Sequence, residues 1–175
     1  MTKLLCLGEL LIDMLPQDAH NSAYLPIPGG APANVAVGYA KLGGEAAFCG
    51  GKGDDHFANQ LSNALAQYNV NTDYLITIAG SQTAMVIVSL DETGERSFGF
   101  YRHNTADVLL TQAHLAQINW QSISTLHFCS NTLTDPAIAN TTLKALELAK
   151  THNKLVSFDV NLRYSLWENT YDIAS

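Results

Sequence analysis

Ser124-Thr125-Leu126-His127-Phe128-Cys129, the segment of helical period from Ala137 to Lys150, and Leu155-Val156-Ser157-Phe158 follow one another as strand, helix and strand. Two short apolar runs joined through an amphipathic helix suit neighbouring parallel strands, because a parallel pair needs a long crossover. Both runs are apolar enough to be buried between helices. The rhythm extends to the front of the chain. Leu4 to Leu7 reads as the first strand. Pro32 to Leu42 carries Val35, Tyr39 and Leu42 at helical spacing, opens with a proline suited to a first turn and stops at Gly43-Gly44. Ala46 to Cys49 reads as another strand, and Asp54 to Tyr68 as a helix with Phe57, Leu61 and Leu65 along one face. The expected fold class is α/β, a mostly parallel sheet sandwiched by helices.

One region departs from this rhythm. Thr83 to Leu90 and Ser97 to Tyr101 are β-rich runs joined through Asp91-Glu92-Thr93-Gly94-Glu95 with no helix between them, which predicts a hairpin. Such a hairpin does not fit the middle of a parallel sheet, so it is expected as a flap over an edge or a site. Tyr24 to Ile27 offers a further strand, so the lid is placed at about residues 14–27 and 83–101. No repeat, low-complexity tract or linker divides the chain further.

At 175 residues and 47% apolar content, one domain with a real core is expected. Nine Lys and Arg against 16 Asp and Glu give a formal charge of -7. That balance argues against a nucleic-acid partner, which requires clustered cations. The apolar opening is interrupted by Glu9 and Asp13, too early for a membrane span or an export signal. Cys6, Cys49 and Cys129 lie far apart, without metal-ligand spacing, and read as buried free thiols of a cytoplasmic protein.

Three segments carry candidate chemistry. In Gly8-Glu9-Leu10-Leu11-Ile12-Asp13, Asp13 falls just past the carboxyl end of the first strand, where open α/β sheets hold ligands. A carboxylate only accepts hydrogen bonds, so Asp13 suits vicinal hydroxyls; the bland reading is a turn or capping aspartate. In Pro28-Gly29-Gly30-Ala31-Pro32-Ala33-Asn34, Gly29 and Gly30 allow close backbone approach before a helix, and Asn34 can pair with a hydroxyl in either sense. Neither a dinucleotide fingerprint nor a Walker loop is present, and a glycine-led helix start is by itself commonplace.

In Phe158-Asp159-Val160-Asn161-Leu162-Arg163, an extended chain would put Asp159, Asn161 and Arg163 on one face. Arg163 and Asn161 suit phosphoryl oxygens or a metal-bound water; a capping aspartate and a surface arginine are the alternative. Arg102 follows Phe98 and Phe100 at alternate positions and is expected to line the flap's inner side with Phe100. His103, His127, Asp54 and Asp55 form no triad-like group and receive no role. No residue set suggests a protein-held metal.

Gly29, Gly30, Asn34, Gly43 and Gly53 are spaced as in the first signature of the ribokinase-like (pfkB) carbohydrate kinases. Gly8-Glu9 with Asp13, Gly94-Glu95-Arg96-Ser97-Phe98, Ala106-Asp107 and Asp159-x-Asn161-x-Arg163 follow in that family's order. The chain resembles this family throughout, and Pro28 to Gly38 with Ser165-Leu166-Trp167 are most similar to its bacterial fructokinases. The resemblance implies ATP-dependent phosphorylation, with Mg2+, of a primary hydroxyl on a furanose under a closing β-lid; the lid's exposed edges and its Phe98, Phe100 and Tyr101 invite pairing in a homodimer. By position it implies sugar binding by Asp13, Gly30 and Asn34, and places Asp159, Asn161 and Arg163 near the phosphoryl groups. Val160 stands where many fructokinases have proline, and Gly51-Lys52 precede Gly53 where an apolar residue is usual. The first departure keeps aminoimidazole riboside kinase as the alternative, beside a non-catalytic sugar-binding module. The family's Gly-Ala-Gly-Asp turn, which supplies the anion hole and catalytic base, occurs nowhere in these residues. The base and most of the nucleotide site are therefore expected beyond Ser175, and the chain as the N-terminal part of one kinase domain, inactive alone.

Overall fold

The computed structural model describes residues 3–167. Five strands form a parallel sheet: β1 (Lys3–Leu7), β4 (Glu45–Lys52), β5 (Asn71–Thr77), β8 (Thr125–Cys129) and β9 (Leu155–Asp159), in the order β5-β4-β1-β8-β9. Alternation in β1 sends Leu5 and Leu7 to one face and Cys6 to the other. The first face packs on α3 (Pro136–Thr151) through Ile138 and Ala145 and on Leu115 and Trp120 of the preceding 3-10 turns. The second packs on α1 (Ala31–Lys41) and α2 (His56–Gln67) through Ala33, Ala36, Leu61 and Leu65. The α/β sandwich expected from the strand and helix periods is thus the architecture found.

The remaining strands make a separate sheet. β2 (Leu11–Pro16), β3 (Tyr24–Gly29), β6 (Met85–Leu90) and β7 (Arg96–Tyr101) are ordered β3-β2-β6-β7. β6 and β7 form an antiparallel hairpin, and β2 runs parallel to β6. Asp55, which the sequence left without a role, caps α2 by accepting from the Ala58 N–H. It also accepts from the backbone and hydroxyl of Thr83, so the entry to β6 is tied to α2. These bonds outweigh its partial burial and hold its carboxyl below the usual aspartate range.

Two local readings are corrected, and one strand had no counterpart in the sequence reading. Asp13, expected just past the end of β1, lies within β2: residues 11–16 cross into the second sheet, because β2 finds partners in β3 and β6. β5 escapes the sequence pattern because its first three residues, Asn71-Thr72-Asp73, are polar on an edge strand. β9, read as buried, is exposed along its length, with Leu155 at 72% of its accessible surface. It is the other edge, and Val156 and Phe158 also face solvent.

Cys6, Cys49 and Cys129 are free and buried. Burial pushes the Cys6 and Cys49 thiols up to about 12, so both are inert neutral side chains. Among the described residues no helix is long and apolar enough to cross a membrane.

Candidate functional site

The second sheet turns one face toward the carboxyl ends of the parallel strands, and a cavity of about 500 Å³ lies between them. That is the size of a small-molecule site. Strand register builds its wall. Asp13 pairs with Val86, and Val86 with Phe100, so these side chains form a row across three strands. Leu11, Leu15, Val88 and Phe98 fill the same face at two-residue spacing. Asp13 is thus a half-buried carboxylate in an apolar, aromatic wall. Burial raises its pKa above the ordinary aspartate value, and the Arg163 guanidinium pulls the other way.

The glycine pair holds the base of this wall. A β-carbon on Gly29 would overlap Oδ2 of Asp13, and one on Gly30 would overlap the Glu9 carbonyl oxygen. Gly30 also has φ of 113°, which glycine tolerates without strain. Gly30 then starts α1, whose first turn presents Asn34 at the cavity, with the Asn34 N–H donating to the Gly30 carbonyl over 2.9 Å. Gly30 lines the cavity; Gly29 does not. Gly29 instead backs a smaller hollow of about 250 Å³ behind α1, shared with Asn34.

Asp159, Asn161 and Arg163 enter the cavity from the end of β9. The extended chain expected there is not what brings them together. Asn161 adopts φ of 29°, and its N–H closes a turn onto Asp159 Oδ1 at 3.1 Å.

Arg102 is the clearest departure from the expected site. Its side chain is 7% exposed, lies outside the cavity lining and is ion-paired through Nε to the buried carboxylate of Asp107. Nη1 donates to the Asn131 carbonyl and to Thr134 Oγ1. The alternation that aims Phe98 and Phe100 into the cavity ends with β7 at Tyr101, and the guanidinium is drawn into the core by Asp107. Phe100 lines the cavity and Arg102 does not.

Three polar lining residues were given no role from the sequence. Arg96 shares the register of Phe98 and Phe100 and extends the same face toward the hairpin tip, which its spacing would have revealed. Glu9 is 1% exposed and Asn131 7%. The Asn131 amide donates to Glu9 Oε1 over 2.9 Å. No local pattern marks that pair, which is made by residues 122 positions apart. Among the described residues no group of three His, Cys, Asp or Glu side chains is arranged to hold a metal ion.

Over this two-sheet α/β unit, the model of the pfkB family carbohydrate kinases matches residues 1–174. The chain belongs to that family. It is 40% identical over 174 residues to a fructokinase of Klebsiella pneumoniae, covering 98% of this chain and 54% of that protein. A crystal structure of fructokinase with bound ATP from Xylella fastidiosa superposes with a TM-score of 0.91 at 42% identity, over 97% of this chain and 52% of that one. Fructokinase from Vibrio cholerae O395, in its fructose, ADP and calcium ion bound form, gives a TM-score of 0.84 at 35% identity, over 96% and 53%. The chain spans about half the length of the curated relatives it matches.

Proposed function

We propose that this pfkB-family chain forms the sugar-binding side of an ATP-dependent fructokinase, which transfers a phosphoryl group to a primary hydroxyl of fructose in its furanose form. The observation that carries this reading is Asp13 set in an apolar wall opposite Gly30 and Asn34, in one cavity. An ionised Asp13 can only accept, so it selects ligand atoms that donate, as vicinal hydroxyls do, and repels an acidic group at that point. Asn34 pairs with a hydroxyl in either sense, and the Gly30 backbone lets the ligand approach closely. Phe98 and Phe100 offer apolar cover for a sugar ring, and the β-lid they belong to keeps water from competing for the phosphoryl group.

Arg163 and Asn161 suit the oxygens of the transferred group, by charge and by amide donation respectively. ATP enters as co-substrate with Mg2+ as the ion it carries. The Gly-Ala-Gly-Asp turn of the family is not among the 175 residues. Deprotonation of the acceptor hydroxyl is therefore assigned to a base outside them, with most of the nucleotide site. The edge strand β7, with Phe98 48% exposed, is the surface proposed for pairing with a second copy. The buried free cysteines fit a reducing, cytoplasmic setting.

The deciding assay compares ATP-dependent phosphorylation of fructose and of aminoimidazole riboside by the complete gene product and by the 175-residue chain. The complete product should turn over fructose in preference. Loss of the base alone should lower the rate ~10²–10⁴-fold, so the 175-residue chain should show no measurable turnover. Fructose binding without turnover by the complete product would favour a non-catalytic sugar-binding module instead.

A further inference from the structure

Glu9 is a buried carboxylate that the proposed sugar chemistry does not use. It sits where three segments meet. Helix α1 starts at Gly30, which has no side chain to cap it, and no side-chain cap is made by Gly30. The N–H groups of a first helical turn lack intrahelical partners, and a carboxylate beside them is favoured by the helix dipole. Glu9 supplies that acceptor from a distance: its Oε1 receives the Ala31 N–H at 3.2 Å. The same oxygen receives the Asn131 side-chain amide, and both carboxylate oxygens face the Cys129 thiol at 3.4 and 3.5 Å. The peptide carbonyl of Asn131 in turn accepts from Arg102, the residue that follows β7. Burial raises the Glu9 pKa, and the nearby positive charge of Arg102 opposes that rise.

We infer that Glu9 is a positioning residue for the sugar site. Its Oε1 caps α1 in place of Gly30, joins the Gly30–Asn34 turn to Asn131 and links both to the base of lid strand β7 through Arg102. The ligand-facing atoms of Gly30 and Asn34 and the anchored end of the lid then share one buried fulcrum. The inference rests on the sugar-site reading for its effect on fructose, while the capping contact itself is testable without any substrate.

The experiment pairs Glu9→Ala, which removes the shared acceptor, with Glu9→Gln, which keeps Oε1. Hydrogen exchange is followed by mass spectrometry on peptides spanning residues 29–35, and fructose and ATP KM are measured on the complete gene product. Glu9→Ala should speed exchange in that segment and raise the fructose KM about tenfold or more, with ATP KM within about twofold, since an unmet buried donor is costly. Glu9→Gln should restore most of both. Should Glu9→Ala not fold, Asn131→Ala severs the tie from the other side and should raise the fructose KM and speed the same exchange to a smaller degree. Unchanged exchange over 29–35 in Glu9→Ala, or in Asn131→Ala where the former does not fold, would overturn the inference. So would a fructose KM and an ATP KM that rise together. Altered exchange in a protein that does not phosphorylate fructose would leave the cap standing and remove only the fructokinase reading.

Discussion

The Gly29 backbone lies against the Asp13 carboxylate so closely that a β-carbon at Gly29 would occupy the place of Oδ2. Leu11 pairs with Gly29 across β2 and β3, so Gly29 and Asp13 are diagonal neighbours on one face. Gly29 therefore clears space for the carboxylate rather than touching the ligand. Gly29→Ala should leave the fold intact but push Asp13 from its place, raising the fructose KM about tenfold while the ATP KM stays within about twofold. Fructose and ATP titrations of the variant complete gene product decide it; an unaltered fructose KM would separate Gly29 from Asp13.

Asp13 itself carries a trade between binding and stability. Its carboxyl has a raised pKa in the fold because burial disfavours the charge. A raised carboxylate value means that the folded state is favoured at pH below the unfolded value and loses that advantage as pH rises through the folded one. Asp13→Asn should therefore not lower the melting temperature at neutral pH, while raising the fructose KM far more than the ATP KM. In the wild type, fructose binding should begin to weaken on acidification at a higher pH than an ordinary solvated aspartate would give. Thermal melts and fructose KM across pH test both; a destabilised Asp13→Asn would show the charge to be compensated within the fold.

Arg102 should behave as a structural anchor. Its partner Asp107 is fully buried, so Arg102→Ala leaves an uncompensated charge in the core and should cost about 3–5 kcal/mol of stability. Urea denaturation of the variant measures this directly. A loss below about 1 kcal/mol would return Arg102 to the list of residues free to serve a ligand.

Strand β9 presents Leu155, Val156 and Phe158 to solvent on an unpaired edge. A 175-residue chain carrying that edge should self-associate, since exposed apolar edges template pairing. Leu155→Lys should reduce the association without unfolding the protein, because nothing packs over that side chain. Sedimentation velocity at increasing concentration tests it, and a wild-type chain that stays monomeric throughout would contradict it.

Local periodicity was enough to read the alternation of strands and helices, the hairpin of residues 83–101 and the glycine-led start of α1. Each is encoded within a window of a few residues by apolar spacing and by backbone-permissive glycines. The spacing of Gly29, Gly30 and Asn34 likewise carried the family. What the windows did not hold was who pairs with whom. Asp13 reads as a residue just past the first strand until β3 and β6 make its segment a strand of the second sheet. Arg102 reads as part of the alternating face until Asp107 draws it inward. β9 has the composition of a buried strand and lies at an edge, and Glu9 becomes a helix cap only because Ala31 and Asn131 converge on one oxygen. Side-chain periodicity is a property of the neighbouring residues, whereas burial, charge pairing and remote capping depend on contacts closed by the whole chain, and those only the tertiary structure decided.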